Sequence, residues 1–247
     1  NRVIRKIYQW NGFITLDDKN AIDDALIKDY IARGYSLVVF PEGKRNDRST
    51  ISRFHKGAFL FAERYGLDIQ PFIIHGLNVV LPRNSFQVFT GSIMVKGYER
   101  VRQDGHTTYS EMTSRVHAFY KKEYERLARE IEKAAYFAPL VEDRYCYKGV
   151  EIYRSVHKNI KRNESFTRWI DTSESLSAVL IKNNDHGEFA LLYALVHPST
   201  LVTVLEEDES KRALLTYCAK GIADNLQVTD HVDMKEAEEA GIKIISL

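Results

Sequence analysis

Within residues 20–33, Ile22, Leu26 and Tyr30 recur at four-residue spacing, Asn20 offers a cap and Gly34 a stop, so this stretch predicts a helix. Ser36-Leu37-Val38-Val39-Phe40 follows, a short apolar run of the kind found in strands buried on both faces. Residues 41–52 are polar and turn-rich. Residues 56–65 predict a second helix closed by Gly66, and residues 69–74 a second buried strand with Pro71 as its odd member. Strand, loop, helix and strand of these lengths predict a parallel crossover. Residues 86–90 and 92–97 read as a hairpin turned at Gly91. Residues 108–135 predict one long helix with the stripe Met112, Val116, Tyr120, Tyr124, Leu127 and Ile131. No heptad is sustained, so that stripe is expected to pack on its own domain.

Residues 139–149 predict a linker, after which the pattern restarts. Residues 150–163 read as helix, 177–181 as strand, 189–196 as helix, 201–205 as strand and 210–221 as helix. This βαβα order opens a doubly wound α/β sheet, and the end at Leu247 is expected to fall before such a sheet is complete. No apolar run comes near the ~20 residues that span a bilayer, and no signal peptide is present. The chain begins with Asn1 and reads as a piece of something longer.

The net charge of +1 argues against nucleic-acid binding by bulk electrostatics. Cys146 and Cys218 are far apart and read as reduced thiols of a cytoplasmic protein. The histidines at 106, 117, 157, 186, 197 and 231 have no metal-ligand spacing, so no metal site is expected.

Candidate chemistry concentrates in Phe40-Pro41-Glu42-Gly43-Lys44-Arg45 and the following Phe54-His55-Lys56-Gly57-Ala58-Phe59. The first run leaves the carboxyl end of a predicted strand, where loops of open α/β sheets diverge and bind ligands. Gly43 allows close backbone approach. Arg45 supplies a bidentate fork for phosphate, with Lys44 and Lys56 as point charges. Lys56 also opens a helix, whose free amides favour an anion. A phosphate-bearing ligand is the natural reading, and a solvated basic loop is the plain alternative. Five fixed positions at about 5% usage recur by chance in roughly one such chain in ten thousand.

These residues resemble the glycerolipid acyltransferases, which include the bacterial lysophosphatidic acid acyltransferases. The family's third block, Phe-Pro-Glu-Gly-Thr-Arg-Ser, stands here as residues 40–46 with Lys44 for Thr and Asn46 for Ser, followed by a Phe-basic-x-Gly-Ala match over residues 54–58. The fourth block, a strand with a central Pro, matches Ile69-Gln70-Pro71-Phe72-Ile73-Ile74. The second block matches loosely over residues 12–18: Asp17 fits, and Asp18 stands where the family has Arg, replacing a cation by an anion near a phosphate site. The resemblance covers about residues 11–101. It implies that Phe40, Pro41, Glu42, Gly43, Arg45, Lys56 and Gly57 bind the acceptor, with Glu42, Gly43 and Arg45 foremost. The family's base, a His separated from an Asp by four residues, would lie upstream of Asn1, so no catalytic residue is assigned and the isolated chain is expected to be inactive. His55 could stand in as a base, but nothing in the sequence pairs it with a carboxylate. His75 is expected to be structural or exposed.

A second run, Leu180-Ile181-Lys182-Asn183-Asn184-Asp185-His186-Gly187, joins a strand to a helix, and Glu206 ends the next strand nineteen residues after Gly187. This resembles a class I S-adenosylmethionine methyltransferase, in which Gly187 and Glu206 would touch the cofactor. Ile181 replaces the family's Asp, and Asn183 and Asp185 replace two glycines that keep backbone close to the cofactor. S-adenosylmethionine binding is therefore not expected, and a degenerate domain kept for structure or contacts is. Tyr145-Cys146-Tyr147-Lys148-Gly149 resembles the linker of fused bacterial transporter, acyltransferase and methyltransferase proteins.

The expected organisation is an acyltransferase-like mixed sheet flanked by helices over residues 1–140, lacking its N-terminal catalytic segment, then a partial Rossmann-like domain over residues 141–247. The expected function is acyl transfer from acyl-CoA or acyl-carrier protein to a lysophospholipid or glycerol-phosphate acceptor in phospholipid synthesis. It would act at the cytoplasmic membrane face, beside neighbouring domains of a larger chain, with no resident cofactor and no nucleic acid. A non-catalytic module contacting lipid headgroups or other domains, and a methyltransferase working through residues 150–247, are the alternatives.

Overall fold

The computed structural model describes residues 24–44, 50–81, 88–182 and 184–246. The chain divides into two compact units, Asn1–Phe40 and Pro41–Leu247.

In the first unit, helix α1 (Asp24–Ala32) has Asp24 in its first turn, where a carboxylate meets free amides. Lys28 pairs with Asp24 at 2.8 Å and Arg33 with Asp29 at 3.1 Å, both one turn apart with the acid first. Gly34 ends the helix with φ 79°, as expected. Residues 20–23 of the expected helix lie outside the described residues. Residues 35–40 are not a buried strand: they carry no strand pairing, and Val38, Val39 and Phe40 are 84%, 51% and 64% exposed. An apolar run becomes a strand only where a neighbour takes its amides and carbonyls, and no described residue pairs with this one in a sheet.

The second unit begins with α2 (Gly57–Tyr65), which buries Phe59 and Ala62 and stops at Gly66, φ 61°. The amides of Gly66 and Leu67 close on the carbonyls of Glu63 and Ala62. Strand β1 (Phe72–His75) is followed by a short helix, α3 (Leu77–Val80), and by β2 (Met94–Gly97). β1 pairs antiparallel with β2, Phe72 opposite Gly97 and His75 opposite Met94, and an Ile69–Val101 bridge extends the pair. The parallel crossover and the hairpin turned at Gly91 are therefore both replaced, since the partner of β2 is β1. Residues 82–87 of that hairpin lie outside the described residues. β1 is not doubly buried either. Ile73 and His75 point inward and Phe72 outward, because only one face of this two-stranded sheet is covered.

The cover is α4 (Tyr109–Ile131). Thr108 and Glu111 form a reciprocal capping box, and Met112, Val116, Tyr124 and Leu127 are buried as the stripe predicts. Met112 and Val116 pack with Phe54 and Phe59, while Tyr124 and Leu127 pack with Ile73. α4 ends before residue 135, and a separate helix, α5 (Ala134–Tyr145), occupies the place of the expected linker. Ala134, Phe137, Leu140, Val141 and Tyr145 line its buried face at helical spacing. Their burial overrides Pro139, which removes one amide from the helix interior. The Asp171 carboxylate accepts a 2.6 Å bond from the Ala134 amide at the start of α5.

Helices α6 (Val150–Arg162) and α7 (Glu164–Thr172) lead into the second sheet. Its elements are β3 (Ala178–Lys182), α8 (Glu188–Val196), β4 (Leu201–Leu205), α9 (Glu209–Ala219), β5 (Leu226–Thr229), α10 (Met234–Glu239) and β6 (Lys243–Ser246). The first four fall where the pattern puts them. The strands are parallel in the order β5-β4-β3-β6, so the winding reverses at β3. α8 is apolar all round and accordingly buried from Glu188 through Ala194, packed on β4, β5 and α5. Arg144 on α5 donates to the carbonyls of Tyr217, Cys218 and Lys220, satisfying the end of α9. The chain is α/β with helices and two sheets, and among the described residues no helix is long and apolar enough to cross a membrane.

Candidate functional site

The first candidate region is the turn that opens the second unit. The Glu42 carboxylate accepts a 2.8 Å hydrogen bond from the Ser52 amide through Oε2, and the His55 amide donates to the Pro41 carbonyl at 2.7 Å. These two bonds fold residues 41–43 back onto residues 52–55. Gly43 sits at φ 67°, and a Cβ there would come within 3.0–3.1 Å of the His55 ring. Both backbone conformation and space therefore call for glycine. The far side of the loop is fastened to α4. His117 Nε2 lies 3.0 Å from the Ser52 carbonyl, and the buried Phe54 ring stands edge-on to His117 and Tyr120.

The remaining residues of this constellation are placed unequally. Phe40 is exposed at the end of the first unit. The Lys56 ammonium donates to Ser110 Oγ at 2.9 Å and lies 5.9 Å from the Tyr109 ring centre, so it is engaged with the start of α4. Gly57 opens α2 with open space around its Cα. Arg45, and the second-block residues Asp17 and Asp18, lie outside the described residues. The structure thus brings Glu42, Gly43 and His55 together on one turn.

His75 is buried, 1% exposed, with Nε2 3.0 Å from the Glu132 carboxylate and its ring against Tyr124 and Tyr136. Sequence spacing gave no sign of this pair, since its members are 57 residues apart. Enclosed at the junction of α4 and β1, it ties strand to helix.

The second candidate region lies at the carboxyl ends of β3 and β4. A cleft of about 790 Å³ is lined there by Lys182, Asn184, Asp185, Leu205, Glu206, Glu207 and Lys211. Gly187 does sit at the β3–α8 turn, φ 91°, and a Cβ on it would meet the Leu215 side chain at 2.5 Å. Its need for glycine comes from the left-handed φ and from packing against α9. Side chains fill the rest of the turn. Asn159 donates through Nδ2 to both Asp185 Oδ2 and Glu188 Oε1 at 2.7 Å, and Tyr145 donates to the His186 carbonyl at 2.8 Å. Asp185 takes φ 33°, and Asn184 Oδ1 accepts from the Ala190 amide. Asn183 lies outside the described residues. Burial pushes the Glu188 carboxyl above its ordinary range, with the Asn159 amide opposing that shift. Glu206 Oε1 accepts from the Asp208 amide at 3.0 Å, which holds the acid at the cleft rim. Among the described residues no three His, Cys, Asp or Glu side chains gather as a metal site.

Residues 2–75 match the Acyltransferase family. A 1-acyl-sn-glycerol-3-phosphate acyltransferase from Cocos nucifera is 27% identical over 92 residues, which is 36% of this chain and 30% of that protein. The chain thus spans about a third of the length of this curated relative. No solved structure matches. The family match takes in the whole Phe40 to Ala58 constellation and ends short of the parallel sheet. Both matches are to acyltransferases, the second to a glycerolipid one.

Proposed function

We propose that the protein takes part in moving a fatty acyl group from a thioester, acyl-CoA or acyl-carrier protein, to a lysophospholipid or glycerol-phosphate acceptor in phospholipid synthesis at the cytoplasmic membrane face. The observation that carries this reading is the run Phe40-Pro41-Glu42-Gly43-Lys44-Arg45 inside the family match, with Glu42 and Gly43 fixed in a tied, glycine-requiring turn. In this reading the turn holds the acceptor. Arg45 clamps the phosphate with two parallel charge-assisted bonds, and Lys44 adds charge. Glu42 spends one oxygen on Ser52, and its other oxygen meets an acceptor hydroxyl. A His-x-x-x-x-Asp supplied by a segment upstream of Asn1 takes the hydroxyl proton, the acceptor oxygen attacks the thioester carbonyl, and the thiol leaves. The chain alone then binds acceptor without turning it over. The experiment is conversion of lysophosphatidate and acyl-CoA to phosphatidate and free CoA. Turnover is expected when the 247 residues are joined to such a segment and not without it. Turnover by the 247 residues alone would overturn the assignment of the base.

For residues 141–247 we propose a Rossmann-like domain kept for structure and contacts. The reversal of winding at β3 and the cleft beside it favour that ancestry. The filled β3–α8 turn argues against S-adenosylmethionine, whose carboxylate end would meet Asp185.

A further inference from the structure

We propose that the outward face of α6 is a docking surface for an anionic phospholipid bilayer. α6 turns Val156 and Ile160 into the core against α5, α7 and α8. Directly opposite, Arg154, Lys158, Lys161 and Arg162 are all exposed. At 3.6 residues per turn these four cations fall within roughly a third of the helix circumference, with Glu151 as the single carboxylate among them. None of the four has an ion-pair partner among the described residues. A solvated helix face normally interleaves both signs, as α1 does with its Asp24–Lys28 and Asp29–Arg33 pairs. Here one sign is gathered on one side. The chain as a whole carries only +1, so attraction to an anionic partner has to be local.

The partner's class follows from what flanks the cations. Val150, 63% exposed, opens α6 one turn before Arg154, and Tyr147, 86% exposed, lies three residues ahead of the helix. An aromatic ring with a polar tip and a small aliphatic group beside lysine and arginine suit the headgroup level of a bilayer, where rings intercalate and long cationic side chains reach phosphates. Nucleic acid would use the charge but not the valine. The inference rests on the reading of the chain as acting on a lipid acceptor, for which it supplies the surface that brings the protein to its substrate.

The test is sedimentation of the full 247-residue chain with vesicles of phosphatidylcholine alone and of equimolar phosphatidylcholine and phosphatidylglycerol. Binding to the anionic vesicles is expected to be at least about tenfold stronger and to fall as salt is added. The combined change Arg154→Gln, Lys158→Gln, Lys161→Gln and Arg162→Gln should remove that preference. The same number of changes on the exposed face of α4, Arg115→Gln, Lys121→Gln, Lys122→Gln and Arg129→Gln, should leave it intact. Circular dichroism checks that both variants fold, and Arg154→Lys with Arg162→Lys should retain binding. Three results would overturn the proposal: no preference for anionic vesicles, equal loss from either set of changes, or tighter binding of a single-stranded RNA through the same four residues. The vesicles hold neither lysophospholipid nor acyl donor, so this result stands apart from any failure of acceptor binding at Arg45.

Discussion

At the scale of single residues, the turn at Glu42 and Gly43 is a small structure with few supports. Glu42→Ala removes the hydrogen bond from the half-buried Ser52 amide to Oε2 and should lower stability by about 1–2 kcal/mol. Glu42→Gln keeps an acceptor oxygen and should cost about half as much, both read from urea midpoints. Gly43→Ala meets a left-handed φ and the His55 ring together, and should cost about 1 kcal/mol or more. Glu188 supplies a pH dependence. Its folded-state pKa is raised, so the folded protein holds a proton that the unfolded chain releases, and stability falls as pH rises from the ordinary glutamate range through the raised value. Glu188→Gln should flatten that fall in thermal melts across the acidic to neutral range; an unchanged slope would remove Glu188 as its source. The sequence singles out Glu42 and Gly43 because motif and glycine are visible there. It does not reveal Ser52 as the Glu42 partner, or Lys56 turning to Ser110, because those contacts exist only once the loop closes on α4.

At the scale of elements, the long amphipathic α4 and the alternation from β3 to α9 are legible because each carries several turns or a full alternation of one period. Residues 36–40 mislead because an apolar run states only that burial would be favourable, not that a neighbouring strand exists. Pro139 misleads in the opposite sense. A proline and a nearby Gly149 suggest a linker, while the spacing of Ala134, Phe137, Leu140, Val141 and Tyr145 already describes a helix face. Two substitutions separate helix from linker. Leu140→Ala should cost about 2–5 kcal/mol, since Leu140 is 1% exposed within the large core. Pro139→Ala restores an amide donor inside α5 and should raise stability by about 1 kcal/mol or more. A linker would register neither change in a denaturation midpoint.

At the scale of the whole chain, α4 belongs with the two-stranded sheet and α5 with the parallel sheet. S-adenosylmethionine titrated into the chain should give no binding heat at micromolar concentrations. Micromolar binding would return the cleft at β3 and β4 to a catalytic role. The central claim is that the Phe40 to Arg45 run recognises the phosphate of a lipid acceptor, and its most direct measurement is a titration of the chain with a short-chain lysophosphatidate below its micellar concentration. Arg45→Ala should weaken binding about tenfold to a hundredfold, and Arg45→Lys should recover only part of it, because an ammonium brings charge without the planar fork. The phosphate-free monoacylglycerol should bind the protein and its Arg45→Ala variant alike. Equal affinity of the unaltered chain for lysophosphatidate and monoacylglycerol, or an Arg45→Ala variant that binds lysophosphatidate unchanged, would contradict the claim and leave the loop a solvated basic turn.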